Sequence, residues 1–142
     1  MNEEITGDIF LFDTSAWLTL IEDEDGADIV RALIQRAATK GVTLFSSFIS
    51  YMEVRYISLQ EVGEEATAVR LGLMEALPVT CLESSKSLGT VAAIIKARHR
   101  LSLADAWIAA AAIENGATLI HKDPEFDQIA FLVKTTRLPY KR

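Results

Sequence analysis

Asp13 stands alone in an apolar run, with Ile9-Phe10-Leu11-Phe12 before it and Ala16-Trp17-Leu18 after it. An unpaired carboxylate buried in such a setting costs several kcal/mol, so Asp13 needs partners. Three further acids occur at comparable junctions: Glu53, Asp105 and Asp123. Taken singly, each fits a helix cap. Asp13 can cap the helix that follows it. Ser50-x-x-Glu53 and Ser102-x-x-Asp105 have the capping-box pattern. Asp123 precedes Pro124, as an N-cap does when proline takes the first helical position. Caps could equally be Ser, Thr or Asn, yet all four junctions carry carboxylates. Gathered together they repel, by about 4 kcal/mol per pair at 4 Å for an effective dielectric near 20. Lys122 is the one Lys or Arg adjacent to any of them in sequence. A divalent cation would neutralise the group, and an all-oxygen ligand set selects a hard ion, Mg²⁺ or Mn²⁺, over zinc. The chemistry open to such a nest is phosphodiester hydrolysis, with water made acidic enough to attack near neutral pH. Glu53 or Asp123 would orient that water or accept its proton.

The elements that must hold these acids alternate along the chain. Short apolar runs at 9–12, 42–45, 78–82 and 117–121 read as strands, with a fifth at 131–135. Helical patterns cover 15–21, 27–38, 48–61, 64–76, 87–98 and 104–114. Gly41 and Gly63 act as breaks, and Asn115-Gly116 as a C-cap. Strands separated by helices, with few hairpin signals, predict an α/β fold: one domain over residues 1–142, about five parallel strands, helices on both faces. Ligands of such sheets bind beyond the carboxyl ends of the strands. Asp13 and Asp123 directly follow strands, Glu53 lies shortly after one, and Asp105 opens a helix that can face the same edge.

Composition narrows the class. The chain has 142 residues, half of them apolar and 24% charged, as in an ordinary globular domain. The single cysteine, Cys81, permits no intrachain disulfide and fits a reducing compartment. Met1-Asn2-Glu3-Glu4 lacks the basic start of a signal peptide, and the apolar run from Ala104 to Ile113 is too short for a membrane span and carries Asp105. The expectation is a cytoplasmic protein. Residues 1–85 carry a net charge of −10 and residues 86–142 one of +4, which makes −6. An acidic total excludes indiscriminate nucleic-acid coating but leaves room for a local phosphate contact. Arg98 and Arg100, with Lys134, Arg137, Lys141 and Arg142 of the tail, are the candidates, against the alternative of a solvated surface. Trp17 and Trp107 read as core or interface packing. His99 and His121 lack metal-ligand spacing with cysteine and read as surface or strand-end residues.

Four segments then carry a resemblance. Phe12-Asp13-Thr14-Ser15-Ala16, Ser50-Tyr51-Met52-Glu53-Val54, Leu103-Ala104-Asp105-Ala106-Trp107-Ile108-Ala109-Ala110 and His121-Lys122-Asp123-Pro124-Glu125-Phe126 occur in the order and spacing of PIN-domain proteins. Within that family the chain resembles the VapC-type toxin ribonucleases of toxin–antitoxin pairs. The resemblance implies a five-stranded parallel sheet and an acidic pocket that binds Mg²⁺ or Mn²⁺ and cuts single-stranded RNA regions, leaving a 5′-phosphate and a 3′-hydroxyl. By position, Asp13, Glu53, Asp105 and Asp123 form the acidic quartet, Asp13 and Asp105 are the principal metal ligands, and Ser15 supports the site through its hydroxyl. It also implies a small antitoxin partner and a homodimer. Two positions depart from the pattern: His121 where Thr or Ser is usual, and Glu125 where a second Asp is frequent.

Other classes fit less well. An Asp-nucleophile phosphotransferase needs Asp-x-Asp, and Asp13-Thr14-Ser15 lacks the second acid. A receiver domain needs an acidic pair after the first strand, whereas Glu3-Glu4 precede it. No Gly-x4-Gly-Lys-[Ser/Thr] occurs, which excludes a P-loop of that form. The remaining alternative is a non-catalytic PIN-fold module that binds RNA or protein, against which the intact quartet argues.

Overall fold

Phe10 and Phe12 face one way along the first strand and Leu11 the other, and that alternation divides the core in two. The computed structural model describes residues 8–140. The N-terminal Met1-Asn2-Glu3-Glu4, together with Lys141 and Arg142, lies outside the described residues. Strand β1 (Ile9–Phe12) leads into helices α1 (Thr14–Ile21) and α2 (Ala27–Ala38). Strand β2 (Thr43–Ser47) is followed by a helical pair, α3 (Phe48–Glu61) and α4 (Gly63–Ala76). Strand β3 (Thr80–Leu82) precedes α5 (Lys86–Arg98) and α6 (Leu103–Glu114). Strand β4 (Thr118–His121), a 3-10 helix (Pro124–Ile129) and strand β5 (Thr135–Arg137) complete the order.

The five strands form one sheet in the order β3-β2-β1-β4-β5, and every pairing is parallel. Helices cover both faces, as parallel strands require. On one side Phe10, Phe12, Leu44 and Ile120 pack with Trp17, Val30, Leu33, Val54 and Met74. On the other, Leu11 and Leu119 pack with Leu88, Ile95, Ile108, Phe126 and the alanine run 109–112 of α6. The small side chains on α6 allow the close approach to β1, β2 and β4 that its contacts show. From β1 the chain goes outward to β2 and β3 on one side, and to β4 and β5 on the other. The order therefore reverses between β1 and β4, the point where such sheets leave a crevice beyond the strand ends.

Most element boundaries agree with the sequence reading, with three corrections. The fifth strand lies at Thr135–Arg137 rather than 131–135. Phe131 and Leu132 are exposed in a turn, and the strand register is set by pairing Leu119 with Thr135. The apolar run was thus a misleading signal at an edge strand held by backbone pairing. Strand β2 extends through Ser46 and Ser47, both buried. Trp17 Nε1 donates to Ser46 Oγ at 2.9 Å, so burial of these hydroxyls is compensated. The third correction concerns the start of α3. Its N-cap is Ser47, whose hydroxyl accepts from Ile49 N, so Ser50 and Glu53 lie inside the helix and form no capping box.

Candidate metal centre

Asp13 is the first residue past β1, and its φ of −68° and ψ of 162° keep it extended while α1 begins behind it. Its Oδ2 caps α1, accepting from the Ser15 amide at 3.0 Å and from the Ser15 hydroxyl. That hydroxyl also accepts from the Lys122 amide at 2.8 Å, which ties the ends of β1 and β4 together. The backbone adds a second tie, Asp13 N to Ile120 O at 3.0 Å. Asp13 is thus a cap, as one reading of the sequence held, but only through one oxygen. Its Oδ1 is buried with no hydrogen-bond partner among the described residues. A carboxylate oxygen in that condition is costly unless something else meets it.

Glu53 comes from the second turn of α3 and reaches the same region through Thr14. Thr14 Oγ1 donates to Glu53 Oε1 at 2.7 Å and lies 2.8 Å from Ser50 Oγ. Sequence reasoning gave Thr14 no role. Its signal was only its place between Asp13 and Ser15, whose side chains turn toward the strand end.

Asp105 sits in the first turn of α6, where Ser102 is the N-cap and accepts from the Asp105 amide at 3.1 Å. A full capping box would send the Asp105 carboxylate back to the Ser102 amide. Glu125 occupies that position instead, accepting from Ser102 N at 3.3 Å. The Asp105 carboxyl instead lies within 4.8 Å of that of Asp123. Asp123 follows β4, caps the 3-10 helix through Oδ1 at 2.9 Å from Glu125 N, and donates its own amide to His121 Nδ1 at 3.1 Å. The imidazole of His121 is buried against the rings of Phe126 and Tyr140. His121 is therefore a buried strand-end residue, and its ring nitrogen is the acceptor for the Asp123 amide.

Carboxylate oxygens of Asp105, Asp123 and Glu125 lie within 4.8 Å of one another. Asp13 is coupled electrostatically to Asp123 and Glu53, and Asp105 to Asp13, Asp123 and Glu125. The fold thus gathers all four acids of the quartet and adds Glu125, one of the two departures from the family pattern. Burial, helped by Asp123 and Glu53, pushes the Asp13 carboxyl from 3.8 to about 7. Burial, helped by Asp13 and Asp123, pushes Asp105 to about 9. Among the described residues no Lys or Arg pairs with any of these acids; the Lys122 ammonium lies 3.6 Å from Glu24 instead. Burial and mutual repulsion favour the protonated form of both carboxyls.

An orphaned buried oxygen, a pure carboxylate donor set and raised proton affinities together match what a hard divalent cation requires. The basic candidates are dispersed. Arg98 and Arg100 are exposed near the end of α5, where the Arg100 amide and carbonyl bond to Gln128. Lys134 is exposed before β5. Arg137 lies 4.6 Å from the centroid of Tyr140, and Tyr140 lines a cavity with Ser15 and Asp123. Gln128 also donates to the Glu125 carbonyl at 2.9 Å, so of the four described candidates Arg100 and Arg137 are the ones these contacts connect to the acids. Trp17 is fully buried, and Trp107 packs edge-on against Phe48 at 5.2 Å, as core packing predicts.

A parallel five-stranded sheet with an acid cluster at its switch point defines a class, and the PIN domain model matches residues 10–132. The chain belongs to the PIN domain family. Its fold is shared with a VapBC2 structure from Rickettsia felis bound to a promoter DNA fragment, at a TM-score of 0.75 and 17% identity, covering 92% of this chain and 99% of that one. A DNA-bound VapBC from Salmonella typhimurium gives a TM-score of 0.71 at 20% identity, over 90% and 96% of the two chains. The sarcin-ricin loop cleaving toxin VapC20 of Mycobacterium tuberculosis gives 0.67 at 19% identity, over 85% and 94%. No curated protein sequence matches the chain.

Proposed function

We propose that this protein is a metal-dependent endoribonuclease that hydrolyses phosphodiester bonds in single-stranded RNA regions, and that it is the toxin of a type II toxin–antitoxin pair. The observation that carries the nuclease reading is the acid cluster, above all the orphaned Oδ1 of Asp13 close to the other carboxyl groups. Asp13 and Asp105 hold Mg²⁺ or Mn²⁺, with Glu53 and Asp123 completing the quartet and Glu125 supplementing it. When bound, the ion stabilises charge on the phosphate oxygens and makes an attacking water sufficiently acidic near neutral pH.

The protein's own groups then divide the work. Ser15 holds one oxygen of Asp13 by two hydrogen bonds and so orients the other. Thr14 holds one oxygen of Glu53, which leaves the second to orient the water or accept its proton. Glu125 accepts from the Ser102 amide in place of the Asp105 carboxylate, which leaves the Asp105 carboxylate for the metal. Arg98, Arg100, Lys134 and Arg137 contact the RNA backbone. The toxin reading draws on the fold shared with VapBC structures, and with it come a small antitoxin partner, a homodimer and a cytoplasmic site of action. No helix among the described residues is long and apolar enough to cross a membrane.

The test uses purified protein free of any partner, with a single-stranded RNA. Cleavage is expected in Mg²⁺ or Mn²⁺ and not in EDTA. Asp105→Asn should lose most of it while keeping the parent circular dichroism spectrum. Full activity of that variant, or activity in EDTA, would overturn the metal-nuclease reading.

A further inference from the structure

A surface helix is apolar toward the core and polar toward water; α3 and α4 carry apolar side chains on both sides. The side of α3 turned to the core holds Ser50, Val54 and Ser58, and that of α4 holds Thr67, Leu71 and Met74. The three hydroxyls among them are met within the chain. Ser50 lies 2.8 Å from the Thr14 hydroxyl, Ser58 accepts from the Arg70 guanidinium at 3.1 Å, and Thr67 donates to the Gly63 carbonyl at 2.7 Å. The opposite side of α3 exposes Met52, Tyr56 and Leu59, and that of α4 exposes Val69 and Leu73. Of the eleven large apolar side chains exposed among the described residues, six lie on this hairpin, with Val62 at its junction. Apolar side chains gathered on one outer face mark an interaction surface, whereas scattered ones do not.

The surface of α4 also has a shape. Ala68, Gly72 and Ala76 recur every fourth residue and are exposed. Glycine within a helix is less stable than alanine. A Cβ at Gly72 would meet no atom of another element within 4 Å, so packing inside this chain does not call for glycine there. A strip of small side chains beside Val69 and Leu73 lets a second helix come to the short end of the usual axial separation of about 8–10 Å. Charge then selects among helices. Residues 48–76 hold five glutamates and two arginines, and one of those arginines, Arg70, is turned to Ser58. A second copy of the hairpin would bring like charges together, whereas a helix with Lys or Arg beside its apolar stripe is attracted. The face adjoins the acid cluster, since Met52 precedes Glu53 in α3.

We propose that the outer face of the α3–α4 hairpin docks one amphipathic helix of a partner protein, apolar over Gly72 and basic along its flanks. Neither metal nor RNA is needed to test this, so it stands or falls apart from the nuclease reading. The probe is a fluorescent, lactam-bridged helical peptide of 14 residues, the length of α4, with a leucine and alanine stripe flanked by lysines. One control peptide has glutamate in place of lysine, and another has the same residues in scrambled order. Fluorescence anisotropy with the full chain should show the lysine probe bound about tenfold or more tightly than either control. Leu59→Gln and Leu73→Gln alter exposed positions without changing charge. Each should weaken binding about tenfold, as withdrawing one leucine from an apolar contact does. Gly72→Leu should weaken it at least as much while raising the melting temperature of the free protein, a pair of effects that a purely structural role for Gly72 would not give. Phe131→Gln, in the exposed turn after the 3-10 helix, should leave binding unchanged. Equal binding of the three peptides, binding indifferent to all three hairpin variants, or an equal loss with Phe131→Gln would overturn the docking face. Self-association of the parent in light scattering, abolished by Leu59→Gln and Leu73→Gln, would assign the face to a second copy and overturn the proposal too.

Discussion

Replacing Asp13 by Asn separates a metal ligand from a helix cap, because Asn caps about as well as Asp. The amide oxygen of Asn can keep the bond from Ser15 N that Oδ2 now accepts. What changes is the charge. In the metal-free protein the Asp13 carboxyl is pushed up to about 7 from 3.8, mainly by burial, and only 2% of the residue is exposed. Between those two values the unfolded chain has released its proton and the folded chain has not. Stability from this group is therefore complete below pH 3.8 and falls as pH rises to about 7. At about 1.4 kcal/mol per pH unit, ionising Asp13 costs roughly 4 kcal/mol more in the folded state. Asp13→Asn should remove that cost, so in EDTA at pH 8 its melting temperature should exceed the parent's by about 10 °C. The advantage should shrink steadily toward pH 4. Mg²⁺ at ten times its dissociation constant stabilises the parent by about 1.4 kcal/mol, a shift of about 3–6 °C. The variant should lose that shift. Melting curves of both proteins in EDTA and in Mg²⁺, at pH 5 and pH 8, read all four quantities. Equal melting temperatures in EDTA at pH 8, with equal Mg²⁺ shifts, would make Asp13 only a cap and refute the reasoning.

Three further outcomes follow from the same geometry. With Asp105 raised to about 9 and Asp13 to about 7, the metal-free parent should lose stability continuously from about pH 4 to pH 9, and saturating Mg²⁺ should flatten that slope in urea titrations. Arg137→Ala should reduce the salt dependence of RNA binding by a slope of about 0.7, one phosphate on a single strand; an unchanged slope in filter binding would return Arg137 to the solvated surface. Ser15→Ala removes the donor to Asp13 and the acceptor for the Lys122 amide, so it should weaken Mg²⁺ binding by calorimetry about tenfold, as loss of an outer support does.

The strand–helix alternation, the acid at each junction and the four segments in their order were all legible in the chain, because they depend on local periodicity and on residue type. The 27–38 and 48–61 patterns coincide with α2 and α3 to the residue. The strand order was not legible, since a parallel crossover does not state where the returning strand will dock. Placing β1 between β2 and β4 is what brings Asp13 beside Asp123. Nor could local pattern distinguish a cap from a ligand. Ser50-x-x-Glu53 had the spacing of a capping box and lies inside a helix, while Ser102-x-x-Asp105 is half of one whose other half comes from Glu125. Glu125 lies 23 positions away from Ser102, and Ser15 bonds Lys122 across 107. Sequence determines which groups are available and what local structure each favours. Which oxygen of Asp13 is satisfied and which is left bare depends on burial and on partners from distant elements, and only the packed sheet decides those.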